Sequence, residues 1–216
     1  MTYGVFCPNL SLERIRTAKE MYAAAKPYSH VILDGWFNAS ILDEVFPLFY
    51  ASEGWQSYEN GKRASRPDHS FLRALNEPEV LAVLRAITGD ILLPDPTMRG
   101  AGLHEVSHGG RLGIHVDFNR HPTLPLVRRV NTILYMNDEW RAEWNGALTL
   151  TDRKGCDQRI PPVWNRWVIF KYGPESWHGH PEPWLAPEGT PRRSIAMYYY
   201  QPLEGDLAFT GTNYAQ

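Results

Sequence analysis

Cysteine is nearly absent from this sequence: 216 residues hold two, Cys7 and Cys156, and neither belongs to a CxxC pair. That excludes a disulfide framework and a cysteine-built zinc site. One long-range bridge stays open, but the pattern favours two free thiols in a reducing compartment. A dominant charge is also lacking. The formal net charge is −2, and no run of like charges forms a basic arm or acidic tail. This speaks against a nucleic-acid partner and gives no sign of attraction to a membrane surface. The tandem arginines Arg128–Arg129 and Arg192–Arg193 are too short to make a basic patch. No apolar run approaches the length of a membrane span. The opening "MTYGVFCPNLSLERIR" lacks the basic and long apolar regions of a signal peptide. A soluble, cytoplasmic protein is expected, with oligomeric state left open.

What is present divides into two textures. Up to about residue 90 the signals are mainly helical. In "SLERIRTAKEMYAAAK", Leu12, Ile15, Met21 and Tyr22 recur at helical spacing. In "ASILDEVFPLFYA", Ser40 and Asp43 resemble a capping box, and Pro47 must kink or end the helix. In "NEPEVLAVLRAITGD", Asn76 is a ready N-cap, Pro78 fits the first turn, and Gly89 stops an apolar stripe of Val80, Leu81, Leu84 and Ile87. One strand, "SHVILDGW", interrupts the helices. After about residue 96 short aromatic and β-branched segments follow one another: "RLGIHVDF", "RVNTILYMN", "GALTLT", "RWVIFKY" and "RRSIAMYYY". No helical pattern separates them, so an antiparallel sandwich or small barrel packed on N-terminal helices is expected, an α+β domain. Residues 1–216 read as one domain, with 1–95 the helical part and 96–202 the β core.

The chemistry concentrates in the β half. Residues two apart on a strand share a face, so His115 and Asp117 of "GIHVDFNRH" converge while Val116 points away. Imidazole and carboxylate together suit a divalent transition metal, although an isolated HxD is more often a plain hydrogen-bonded pair. A third ligand should come from a distant strand, and "ESWHGHPEPW" offers His178 and His180. Two histidines and one carboxylate with open positions form the facial triad of non-haem Fe(II) oxygenases. In "PRRSIAMYYY", Arg192 and Ser194 share a face and make a carboxylate clamp.

From about residue 97 to residue 201 the chain resembles the Fe(II)- and 2-oxoglutarate-dependent oxygenases, in particular their prolyl-4-hydroxylase-like branch. The resemblance rests on "LGIHVDFN", "VNTILYMNDEW" with "WNGALTL", "NRWVIFKYGPESWHGHP" and "RRSIAMYYY", in the family's order. It implies a double-stranded β-helix (jelly-roll) core. It also implies Fe(II) on His115, Asp117 and His178, with His180 the rival for the last place. By the same likeness Arg192 and Ser194 match the pair that holds the far carboxylate of 2-oxoglutarate. Arg193 is the rival arginine, but it shares its face with Ile195 and Met197 instead of Ser194. Tyr135 matches a tyrosine whose hydroxyl reaches the cosubstrate, and Asn131 shares its face and lines the same pocket. Two departures concern local turn geometry: Asn145–Gly146 stands where Gly-Gly is usual, and Ala147 where an acidic residue is common.

The implied reaction is hydroxylation of an unactivated C–H bond with O2, releasing succinate and CO2, with ascorbate as a possible reductant. Asp117 favours hydroxylation over halogenation, which needs a small residue there. The substrate is peptidyl or a small molecule: a prolyl or other amino-acid side chain, a free amino acid or a natural product. Arg111, Asn119 and Trp177 are candidate substrate contacts, and the proline-rich "PEPWLAPEGTP" a candidate wall of the mouth. His30, His69, His104, His108 and His121 read as ordinary hydrogen-bonders. Two other readings stay in play: a cupin-like metal enzyme without 2-oxoglutarate, against which the Arg192–Ser194 clamp speaks, and a non-catalytic jelly-roll binding module.

Overall fold

A computed structural model describes residues 4–51, 53–58 and 60–215. Its helices are α1 (Leu12–Ala24), α2 (Ala39–Val45), α3 (Leu48–Ala51), α4 (Ser70–Ala74) and α5 (Pro78–Thr88). Ser11 caps α1 by accepting from the Arg14 N–H. Pro47 separates α2 from α3, as its missing N–H requires. Two expected caps fall elsewhere. Asn38, not Ser40, caps α2. Glu77 holds the N-cap position of α5 without a side-chain bond, and Asn76, one residue earlier, donates from Nδ2 to the Asp95 carbonyl. Gly89 ends α5 in the left-handed conformation that glycine adopts at no steric cost.

The strands are β1 (His30–Asp34), β2 (Gln56–Ser57), β3 (Lys62–Ser65), β4 (Gly102–Val106), β5 (Leu112–Val116), β6 (Leu126–Tyr135), β7 (Leu148–Thr151), β8 (Asp157–Ile160), β9 (Arg166–Lys171), β10 (Trp177–His180), β11 (Arg192–Pro202) and β12 (Asn213–Tyr214). They form two antiparallel sheets, ordered β1-β9-β6-β11-β4-β3-β2 and β12-β5-β10-β7-β8 among the described residues. This is the expected jelly-roll core. The nominally helical N-terminal part is less purely helical than its sequence suggests: β1 and the hairpin β2–β3 complete both edges of the larger sheet.

Strand alternation sorts the larger sheet into two faces. Leu103, Val130, Leu134, Trp167, Ile169, Ile195, Met197 and Tyr199 pack against the helices, including Val80, Leu84 and Ile87 of α5. Each such buried aliphatic side chain contributes roughly 1.5–3 kcal/mol. The other face turns to the smaller sheet, where Tyr135, Val168 and Phe170 meet Leu148, Leu150 and Ile160. Further along this inner face the residues become polar: Asn131, Arg192 and Ser194. The site lies there, between the sheets.

Candidate active site

His115 on β5 and His178 on β10 are directly opposed across the smaller sheet, their ring centroids 4.5 Å apart. Asp117 follows β5 by one residue and reaches both: Oδ1 lies 3.5 Å from His115 Nε2, and Oδ2 3.5 Å from His178 Nε2. One donor atom from each residue falls within 4.8 Å of the others. The tautomers follow from the backbone. His115 Nδ1 is 2.8 Å from the Gly113 carbonyl and His178 Nδ1 2.9 Å from that of Ser176. A carbonyl only accepts, so each Nδ1 carries the hydrogen, and in its neutral form each ring turns an Nε2 lone pair toward the carboxylate. Burial and the neighbouring His115 push the His178 pKa down, against the pull of Asp117. Lone pairs facing a carboxylate across 3.5 Å make a place for a cation, and the donor set suits Fe(II).

The carboxylate is held from behind. Burial alone would raise Asp117, but Arg128, followed by the two histidines, holds it well below the usual carboxylate range. Arg128 Nη1 donates to Oδ2 at 2.9 Å and Asn131 Nδ2 to the same oxygen at 2.8 Å. The guanidinium is fully buried, 3.8 Å from the ring centroids of both Phe118 and Tyr198. Arg128 reaches this face because β6 bulges. Val130 pairs with Tyr199 and Arg128 with Tyr200, which leaves Arg129 as the extra residue.

Opposite, on the larger sheet, Arg192 donates from Nε to the Gly146 carbonyl at 2.7 Å and from Nη2 to the Tyr135 hydroxyl at 3.0 Å. It is 4% exposed and has no carboxylate within 4.0 Å among the described residues. An uncompensated buried cation calls for an anion. Its rival, Arg193, faces the helices and is paired with buried Glu105 at 2.8 Å. Ser194 stands opposite Tyr135 across the ladder, and burial keeps the Tyr135 hydroxyl protonated. Gly146 has φ +70°, and Asn145 before it φ 58°, so the pair keeps the backbone shape that Gly-Gly would adopt.

An inner pocket of about 90 Å³ is lined by all three of His115, Asp117 and His178, together with Asn131, Arg192 and Ser194. Lys62, His104, Leu112 and Tyr198 line both this pocket and an outer cleft of about 1170 Å³. Arg111 lines the outer cleft. Asn119 and Trp177 do not line either space. Asn119 ties down the C-terminal segment through the Ala208 carbonyl and the Thr210 N–H. Trp177, one residue before His178, faces the other way, beneath Arg153 at 4.6 Å. The proline-rich loop does not line the mouth either: Trp184 and Ala186 are buried with Trp144 and Val106 beside the Arg192 clamp. His30 and His69 hydrogen-bond within their own segments, His108 reaches the Ala186 carbonyl, and His121 meets the Thr97 hydroxyl.

Three residues of the site, Arg128, Lys62 and His104, are not assigned to it by the sequence, and a fourth, His180, only as the rival ligand. Arg128 sits on the wrong parity for β6 until the bulge is counted. Lys62 and His104 arrive on strands of mixed polarity. His180, buried beside the clamp with Nδ1 unpartnered, is visible only as the second histidine of "WHGH".

The family model described as the 2OG-Fe(II) oxygenase superfamily matches residues 101–200, the span that carries the triad and the clamp. The β core of this chain thus carries the pattern of the 2OG-Fe(II) oxygenase superfamily. The chain is a 2-oxoglutarate-dependent oxygenase that uses Fe(II) and O2. Similar solved structures share this oxygenase fold at low identity. A prolyl hydroxylase from Trichoplax adhaerens, in complex with a peptide fragment of the hypoxia inducible factor oxygen degradation domain, matches with TM-score 0.63 and 15% identity over 89% of this chain and 94% of that one. A Pseudomonas putida prolyl-4-hydroxylase matches with TM-score 0.61 and 15% identity over 87% and 98%. HygX from Streptomyces hygroscopicus, with nickel, 2-oxoglutarate and hygromycin B bound, matches with TM-score 0.58 and 12% identity over 88% and 87%. No protein of curated function matches the sequence. Among the described residues, no helix of this oxygenase is long and apolar enough to cross a membrane.

Proposed function

We propose that this oxygenase hydroxylates an unactivated C–H bond of a peptidyl or small-molecule substrate, releasing succinate and CO2. The observation that carries the reading is the convergence of two Nε2 lone pairs on Asp117 across from a buried arginine that lacks a counterion. His115, Asp117 and His178 hold Fe(II); Arg192, with the Tyr135 hydroxyl and Ser194, takes the far carboxylate of 2-oxoglutarate. When bound, Fe(II) and 2-oxoglutarate would supply the oxidising chemistry: decarboxylation of the cosubstrate to succinate with one oxygen atom of O2, and insertion of the other into the C–H bond. The chain's own work is placement. The Gly113 and Ser176 carbonyls fix both imidazole tautomers, and Arg128 with Asn131 keeps Asp117 ionised. Asn131 thus acts on the cosubstrate pocket through the carboxylate as well as by lining it. On β12, Tyr214 lies over His115 with ring centroids 5.4 Å apart and shields that ligand from water.

The prolyl-hydroxylase-like neighbours support a prolyl or other amino-acid side chain as the target, and HygX a small natural product. Two free cysteines fit a reducing, cytoplasmic setting. Ascorbate is proposed as the reductant, and neither nucleic acid nor membrane as a partner.

The test is anaerobic addition of Fe(II) and then 2-oxoglutarate to the metal-free protein, reading the weak visible charge-transfer band of the chelate. The band is expected in the wild type and strongly weakened in His115→Ala, His178→Ala and Arg192→Ala. Its absence from the wild type at saturating cosubstrate refutes the assignment.

A further inference from the structure

The outer cleft has a one-signed lining. Lys62 stands where it meets the inner pocket, and Arg66, Arg99 and Arg111 surround it, with no carboxylate among the described lining residues. None of these four cations has a carboxylate within 4.0 Å among the described residues, whereas Arg63, one position from Lys62 on β3, is bound to Glu105. Asp95, the nearest buried acid in sequence to Arg99, is spent inside its own loop. It accepts from the Thr97 N–H and hydroxyl and from the Arg99 N–H. The whole chain carries a net charge of −2, so this concentration of positive charge is local to the mouth. Such clefts focus potential and raise the local concentration of anions.

Four aromatic residues, Tyr58, Phe118, Tyr198 and Tyr214, line the cleft as well, among small and neutral polar side chains such as Gln56, Asn60 and Thr97. The volume, about 1170 Å³, lies at or above the roughly 300–1,000 Å³ typical of small-molecule sites. The space thus admits a body considerably larger than a free amino acid, with flat or apolar surface beside its charge.

We infer that the substrate carries a carboxylate or phosphate group, which Arg66, Arg99 and Arg111 hold in the outer cleft while Lys62 stands over the entry to the inner pocket. This rests on the oxygenase reading above and adds the substrate's chemical class to it. Arginine suits the role, since its planar fork pairs with either anion in two parallel hydrogen bonds. Four cations around one cleft fall short of the extended basic track that a nucleic-acid strand needs, so a small anion is favoured.

The experiment uses the full chain loaded with Ni(II) and 2-oxoglutarate, which fills the inner site without turnover. Three aromatic probes are titrated by calorimetry at low and high salt: 4-phenylbutyrate, phenyl phosphate and the neutral 4-phenylbutanol. At least one anion is expected to bind about ten-fold or more tighter than the alcohol, as charge-assisted hydrogen bonds allow, and to weaken with salt. The two anionic arms separate carboxylate from phosphate recognition. The variant Arg66→Ala/Arg99→Ala/Arg111→Ala should lose the preference while retaining nickel, 2-oxoglutarate and its melting temperature. Equal affinity for anion and alcohol in the wild type overturns the inference, whether or not the variant folds. So does a preference that survives in the folded variant, or a single-stranded oligonucleotide that outcompetes both anions. A protein that does not retain nickel and 2-oxoglutarate counts against the oxygenase reading; a loaded protein without anion preference counts against this inference alone.

Discussion

Arg128 donates to Asp117 Oδ2 at 2.9 Å from a position fully enclosed between the rings of Phe118 and Tyr198. Asp117 thus has a counterion before any metal arrives. Removing one partner of a buried pair typically costs about 3–5 kcal/mol, so Arg128→Met should destabilise the metal-free protein by about 3 kcal/mol. A bound divalent cation supplies the missing charge. The rise in melting temperature on adding Fe(II) or Ni(II) should therefore be larger in the variant than in the wild type. Equal metal-induced shifts would contradict the pairing.

The two adjacent arginines of β11 should fail differently. Arg192→Ala is expected to weaken 2-oxoglutarate binding by about 30-fold or more, the equivalent of ~2 kcal/mol, with metal affinity little changed. Arg193→Ala leaves Glu105 buried with Arg63 alone, and should lower stability by about 3 kcal/mol. Its 2-oxoglutarate affinity should match the wild type. Denaturant melts and cosubstrate titrations on the two variants distinguish the roles, and a Tm loss confined to Arg192→Ala would reverse them.

Gly179 controls how closely the two ligand strands approach. A Cβ there would sit 2.6 Å from the Gly113 carbonyl oxygen and 2.8 Å from that of Leu112, both backbone atoms of the β5 region. Gly179→Ala must wedge β10 away from β5 and pull His178 from His115. Nickel affinity, measured by competition with a chelator, should fall by at least the roughly 10–100-fold that second-layer changes cause at metal sites. Unaltered affinity would mean the strands separate without moving the ligands.

The metal-free protein should lose stability as pH falls below about 6.5. Burial lowers the pKa of His30, His178 and His180. Below the ordinary histidine value the unfolded chain therefore binds protons that the folded chain does not, so folding weakens as pH falls toward the lowered values. Asp117 acts in a lower window. Its depressed pKa contributes stability above the ordinary carboxylate range, lost as pH falls through the folded value. Urea midpoints between pH 8 and 5 should decline in the metal-free protein and decline less with nickel bound. A flat profile would show that these histidines stay accessible to protons.

Much of this site was legible in the sequence because it is written in strand alternation. His115 with Asp117 and Arg192 with Ser194 each share a face two residues apart, and the strands that carry them are rich in β-branched and aromatic residues. β10 gave no strand signal: "WHGH" holds two inward histidines and a glycine where an apolar alternation would sit. β8, with the sequence "DQRI", and the hairpin β2–β3 are polar edge strands whose pairing is set by their neighbours. In the sequence Arg128 reads as half of a short basic pair, since a bulge cannot be counted from one strand alone. Lys62 and Arg66 belong to a segment far from the ligands in sequence, and only the closing of the larger sheet brings them to the mouth.

The proposed metal triad belongs to one sheet and the proposed cosubstrate clamp to the other. The two histidines depend on β5 and β10 staying in register. Asp117, by contrast, is steadied across the layers by Arg128 and Asn131 of β6, so both halves of the proposed site need the two layers at their native spacing. If the layers part, Arg192 and Tyr135 move away from the histidines and Asp117 loses Arg128 and Asn131 in the same motion. In this architecture the packing between layers is itself what keeps the two halves of the proposed site one device.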